Sequence, residues 1–421
     1  MTDNNSIRGL SALVICLIGS NLAYASGEGL EIDKSARYRT QQVNDVVRGD
    51  ATAHTLKLRL SAQWQINESF SSLLQLDHVH AFNENDFSYV TVTRDTSPIL
   101  DIPGTELNQA WIAYNDDRDW SLKLGRQTLS FDNDRHISSI EFWQNDQVYD
   151  AISFEYGDPG QWNLSYSYIN KVHRIFGREA RRILPPEDIR FDTHPIRPFQ
   201  ELGIHEHNSH LLNASYQVNQ YLAVSAYYYA LDNLSASAFS SDTAGLRLTG
   251  EFKPSAVRYS YAAEYAYQET ADDSVWDYEG SYTFLELGAQ YRSHELKLSY
   301  ERLAENNGFA FATSLGDNHK FLGWADIFSA YLNADGLRDT YLSYRGRKAK
   351  LRWRVIAHQI VSDTSGRVAG NEFDFELAYR FNRDWEASLI GSQFISKAGL
   401  EGLPESFEDL STWTFSLKYN L

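Results

Sequence analysis

Cysteine is almost missing from this chain of 421 residues: Cys16 is the only one. It sits in an apolar N-terminal run, so the rest of the chain can form no disulfide and offers no thiolate for metal binding or catalysis. Long hydrophobic runs are missing too. No stretch reaches the roughly 18 apolar residues a transmembrane helix needs, and the mean hydropathy is −0.45. That excludes helical spans but not a membrane β-barrel, whose strands are apolar on one face only. Positive charge is also in short supply, with 38 Lys and Arg against 56 Asp and Glu and a net charge of −18. No nucleic-acid partner is expected.

The N-terminus reads as a secretory signal over residues 1–25. Arg8 precedes the apolar run "GLSALVICLIG" (9–19), and "AYA" (23–25) supplies small residues for cleavage before Ser26. The sequence before Cys16 lacks the small residue of a lipoprotein signal. Residues 26–421 are then expected to form one domain.

That domain reads as strand after strand. "TLKLRLSAQWQI" (55–66), "QWNLSYSYIN" (161–170), "AVRYSYAAEYAYQ" (256–268) and "STWTFSLKYNL" (411–421) all alternate apolar with polar residues. Period-2 alternation indicates a strand with one apolar and one polar face. Eighteen such segments are expected, near 34–44, 53–66, 69–81, 105–115, 119–130, 147–157, 160–170, 208–218, 221–231, 242–252, 255–268, 282–292, 294–304, 338–346, 348–360, 371–382, 384–396 and 411–421. Most are nine residues or longer, against about 5–6 for soluble proteins and about 9–11 for a strand crossing a bilayer.

The connectors alternate in length. Nine long ones (45–52, 82–104, 131–146, 171–207, 232–241, 269–281, 305–337, 361–370 and 397–410) are interleaved with eight tight turns. Outer-membrane barrels have this rhythm, with short periplasmic turns and longer external loops. Trp64, Trp120, Trp162 and Trp385 all lie beside tight turns on apolar faces, where an interfacial aromatic girdle would put them. The expected fold is all-β: a transmembrane antiparallel up-and-down β-barrel of 18 strands, in the outer membrane of a Gram-negative bacterium. Its partners would be outer-membrane lipid and lipopolysaccharide, with the barrel-assembly machinery for insertion.

Three stretches resemble the alginate-export family of outer-membrane porins. They are "LKLGRQTLSFDNDRHISSIEFWQNDQVYDAISFEY" (122–156), "LGDNHKFLGWADIF" (315–328) with "GLRDTYLSY" (336–344), and "IAHQIVSDTSG" with "GNEFDFELAYRF" (356–366, 370–381). The resemblance implies a monomeric 18-stranded barrel whose members pass anionic uronate polymers through a cation-lined pore.

Polar-face parity places Lys57, Arg59, Lys123, Arg247, Arg258, Lys297, Lys350, Arg352, Arg354, Arg380 and Lys418 in the lumen. Arg126 and Arg135 occupy the family's GRQ and D-x-R positions. Anion channels use such cations to replace lost hydration, and the Arg fork suits carboxylates. The candidate pore-lining set is Lys57, Arg59, Lys123, Arg126, Arg135, Arg258, Lys350, Arg352 and Arg354. For any single one, pairing with a lumen carboxylate is the ordinary fate; Glu251, Glu264, Glu286, Glu301, Asp374, Glu376 and Glu386 are the partners on offer.

Other features carry less. "HEHNSH" (205–210) lacks a second ligand group, and acidic loops such as 269–279 read as solvated. The Arg- and Pro-rich loop 171–207 fits an inward constriction or an exposed cap equally well. The leading expectation is a passive channel for acidic oligo- or polysaccharides, with no cofactor and no catalysis. A porin of broader range competes with it. An outer-membrane lipid hydrolase would need a nucleophile and a His on the outer wall; His78 and His80 share that face without an evident serine.

Overall fold

A computed structural model describes residues 29–116, 119–158, 160–181, 199–272, 274–275, 277–328, 335–397 and 408–421. The expected signal (1–25, with Cys16) lies outside the described residues, as do parts of the 171–207, 269–281, 305–337 and 397–410 connectors.

Twenty strands follow in chain order. They are β1 (Leu30–Asp45), β2 (Ala51–Gln65), β3 (Phe70–Ala81), β4 (Gly104–Asn115), β5 (Trp120–Gln127), β6 (Val148–Asp158) and β7 (Trp162–His173). Next come β8 (Ile204–Asn219), β9 (Leu222–Leu231), β10 (Ser241–Phe252), β11 (Val257–Thr270), β12 (Glu279–Tyr291) and β13 (His294–Leu303). A two-rung hairpin, β14 (Glu305–Asn306) and β15 (Phe309–Ala310), stands apart from the main sheet. The last are β16 (Leu337–Lys348), β17 (Leu351–Ser362), β18 (Val368–Arg380), β19 (Trp385–Ser396) and β20 (Leu410–Asn420).

Eighteen of these form one antiparallel sheet in which each strand pairs with its neighbour in sequence. The sheet closes where β1 meets β20, in register from Ser35↔Asn420 to Asp45↔Leu410. Closure leaves no edge of unpaired N–H and C=O groups, the requirement for backbone crossing hydrocarbon.

The side-chain distribution is inverted relative to a soluble protein. Leu74, Leu76, Leu285, Leu287, Leu296 and Leu298 are exposed outward, while Asp77, Glu264, Glu301, Asp339 and Asp374 are buried inside. Water would not tolerate so much apolar wall; lipid favours it. The tryptophans beside the tight turns sit in an aromatic band. Trp120 packs on Tyr114 at 5.0 Å, Trp162 on Tyr156 at 4.8 Å and Trp385 on Tyr419 at 4.5 Å between ring centroids. The band and the short turns mark the periplasmic end of an outer-membrane barrel.

The long connectors on the other side do not all stay outside. The segment 128–147 touches β1 through Arg37, β2 through Lys57, β8 through Asn213, β11 through Glu264 and β13 through Glu301. These strands lie all around the barrel, so one segment can reach them only from within. The segment 304–328 joins it, with Ile137 and Leu315 forming a parallel bridge. Phe311, Leu315, Phe321, Leu322 and Phe328 pack with Ile137 and Tyr149 in one buried apolar cluster. Each such side chain contributes about 1.5–3 kcal/mol, which holds the inserted segments against the wall. The connector 82–103 folds in likewise: Phe87, Val90, Ile99 and Ile102 pack with Trp143, and with Ile175 and Phe176 of the 171–207 connector. The described part of that connector therefore joins the inner packing.

Candidate functional site: a cation-lined cavity beneath the inserted loops

Between the inserted segments and the short turns the lumen keeps a cavity of about 930 Å³. Eight cations line it: Arg247, Arg292, Lys297, Lys320, Arg345, Arg347, Arg352 and Arg354. Only three carboxylates do so, Glu286, Glu295 and Glu376. Asn133, Lys320 and Phe321, from the two inserted segments, form part of its wall.

The register of β16 on β17 builds its densest part. Arg345 faces Arg354 and Arg347 faces Arg352 on successive inward rungs. Like charges directly opposite each other destabilise a sheet, so four arginines on two adjacent strands need compensation. Arg345 pairs with Glu295 of β13. Arg352 pairs with Glu386 at 2.8 Å, a carboxylate also engaged by Arg380 at 3.1 Å. Of the other lining cations, Arg247 pairs with Glu264, Lys297 with Glu286 at 2.6 Å and Lys320 with Asp134 at 2.6 Å. Arg354 instead lies over the ring of Trp324, 5.3 Å from its centroid.

Of the candidate set, the structure brings only Arg352 and Arg354 into this cavity. Lys350 is corrected: it sits in the turn between β16 and β17 rather than on a strand, and its Nζ donates to the Phe381 carbonyl. Lys57 and Arg59 do face the lumen, but they are spent on a buried network. Lys57 Nζ reaches Asp146 at 3.0 Å and Asp77 at 3.1 Å, and Arg59 forks onto Asp77 at 2.6 and 2.7 Å and also bonds Asp146. Burial opposes the charge on Asp146, yet Lys57 and Arg59 outweigh it and hold the carboxylate well below its usual range.

Lys123 lies over the Trp111 ring at 4.8 Å. Arg126 shares parity with the outward Leu122 and Leu124 and forks onto Asp150 at 2.7 and 3.0 Å. Arg258 stands near a short turn, paired with Glu251 at 3.2 Å. Arg135 is fully buried, with Nε on Glu301 at 2.5 Å and Nη1 on Thr313 and Asn318 at 3.0 and 2.7 Å. It fastens the two inserted segments to the wall.

Sequence reasoning missed Arg345 and Arg347. Arg345 falls inside the expected strand 338–346 on the parity of Tyr341 and Ser343 but was not singled out, and ending that strand at 346 rather than 348 hid Arg347. The histidines of "HEHNSH" have separate partners: His205 bonds Asn233, His207 bonds Ser209 and His210 bonds Tyr166. On the outer wall His78 meets the Thr105 hydroxyl at 2.8 Å and His80 packs on Phe82. Among the described residues no group of His, Asp and Glu is disposed to hold a metal ion.

No family model matches the chain, and no curated protein sequence is similar to it. Solved structures do share its architecture. OccAB2 of Acinetobacter baumannii superposes with a TM-score of 0.69 at 12% identity, over 93% of this chain and 98% of that one. OccK2 (OpdF) of Pseudomonas aeruginosa, solved in complex with glucuronate, gives 0.65 at 12% identity, over 93% and 98%. OpdK of Pseudomonas aeruginosa, solved with vanillate, gives 0.65 at 9% identity over the same shares. The chain thus has the fold of these Occ/Opd outer-membrane porins, the closed 18-stranded antiparallel barrel.

Proposed function

We propose that this protein is an outer-membrane porin that passes small carboxylate-bearing solutes, with uronates and short acidic oligosaccharides as the favoured class. The observation that carries the reading is the excess of cations around the cavity in a chain that is acidic overall: beside five salt-bridged ones, Arg292, Arg347 and Arg354 have no salt-bridge partner among the described residues. Low-dielectric walls focus that excess and raise the local concentration of anions, and guanidinium forks recognise carboxylates in two-point fashion. Glucuronate in OccK2 and vanillate in OpdK, both carboxylates, support this chemistry. The inserted segments favour monomers and short oligomers over a polymer of the alginate kind, because residues of four connectors pack inside the barrel.

Reversal potentials across planar bilayers under a KCl gradient test the proposal. Anion preference and concentration-dependent block by glucuronate are expected, both weakened by Arg345→Ala with Arg354→Ala. Cation preference with no glucuronate block overturns it.

A further inference from the structure

The segment "HKFLGWAD" (319–326) stood out in the sequence without a role, and the structure gives each part of it a contact. His319 pairs with Asp326 at 2.9 Å and stacks on Phe142. Lys320 holds Asp134, and Phe321 lies under Arg135 at 4.8 Å. The Ala325 N–H donates to Glu372 Oε1 at 2.7 Å. Gly323, at φ +91°, passes so close to the same carboxylate that an added Cβ would stand 2.4 Å from its Cδ. Both flanks of Trp324 are therefore pinned to Glu372 on β18. The indole, itself buried, is thereby set against Arg354 on the adjacent strand β17.

Glu376 is the register partner of Arg354, yet among the described residues no carboxylate stands within salt-bridge distance of that guanidinium. A cation held by a carboxylate has its charge largely cancelled toward a third body. A cation held against a ring face keeps it, since the quadrupole supplies attraction without net charge. The lumen repeats the device at Lys123, which rests on Trp111.

We propose that Trp324 is a positioning residue: it holds Arg354 against the cavity as a cation without a counter-carboxylate, ready for the anionic group of the solute. This rests on the anion-channel reading above and adds to it which cation receives the solute and what keeps it available.

The test is glucuronate block of single channels formed by the full mature barrel. Trp324→Leu removes the ring face and should weaken block by about threefold to tenfold, the scale of a partly buried cation–π contact. Trp324→Phe, which keeps a ring, should recover a good part of that loss. Open-channel conductance in KCl monitors docking of the inserted segment, and only variants with wild-type conductance enter the comparison of block constants. In an Arg354→Ala background, Trp324→Leu should produce no additional change, because the two residues act as one unit. Equal loss in the presence and absence of Arg354, or unaltered block in Trp324→Leu while Arg354→Ala weakens it, overturns the positioning role and leaves the channel reading intact. Unaltered block in Arg354→Ala overturns the assignment of Arg354 as receiver. Absence of block in the wild-type barrel overturns the anion-channel reading itself.

Discussion

At the scale of single residues, the lumen sorts its cations by what stands opposite. Arg345 and Arg354 face each other on one rung, a placement that costs roughly 0.2–1 kcal/mol relative to neutral pairs. Folding alone would not select it. Arg354→Gln relieves that repulsion and gives up the Trp324 ring contact, so it should change stability in urea unfolding by no more than about 1 kcal/mol while lowering anion preference; a large loss of stability alongside unchanged selectivity would contradict the reading. Asp146 is the opposite case, since its carboxylate serves Lys57, Arg59 and the Asn108 amide at once. Asp146→Asn leaves the buried Lys57 and the half-buried Arg59 on Asp77 alone and should cost about 3–5 kcal/mol. Its depressed proton affinity also fixes the pH response. A group whose folded pKa is lowered contributes in full above its unfolded value, near 3.9, and the contribution is lost as pH falls through the folded one. Conductance traces should thus show the 128–147 segment docked from pH 7 to below 5, with no extra opening in that window.

At the scale of elements, the strand rhythm was legible and the fate of the loops was not. A period-2 alternation is local, so "TLKLRLSAQWQI" declares its two faces from its own residues. The partner of Arg135 is Glu301, 166 positions away, and nothing near "DNDR" announces that the segment turns inward. The basic loop 171–207 reads equally well as an inward constriction or an exposed cap, and its described part does pack inward through Ile175 and Phe176; 128–147 and 304–328 enter as well, on buried apolar residues such as Ile137, Leu315 and Phe321. Parity also carried the pairing of cations: Arg258 with Glu251, Lys297 with Glu286 and Arg352 with Glu386 join residues that the alternation had put on one face. It failed at Lys350, where a tight turn interrupts the strand. If Arg135 is the fastener of both inserted segments, Arg135→Leu strands the buried Glu301 carboxylate with only Tyr282 among its hydrogen-bonded partners. Loss of docking is the expected result, seen as raised single-channel conductance and new proteolytic cleavage within 128–147, with the barrel itself still folded.

At the scale of the whole molecule, the net charge of −18 and the cationic cavity describe different places. Several lumen carboxylates, among them Asp77, Asp146, Glu264 and Glu301, are tied to buried or half-buried cations and present little free charge to a passing solute. The unbalanced cations surround one water-accessible space below the inserted segments. Selectivity from such a source must act through water and must screen with salt. The Debye length is about 10 Å at 0.1 M and about 3 Å at 1 M, so the cavity charge spans the passage in the first condition and only its own lining in the second. Anion preference in reversal-potential measurements should therefore be pronounced at 0.1 M KCl and largely gone at 1 M. Block by glucuronate should decline less steeply over the same range, because direct guanidinium–carboxylate contact is shorter than either screening length. A parallel collapse of both would mean that the arginines act only as a diffuse field, and the two-point recognition assigned to them would have to be withdrawn.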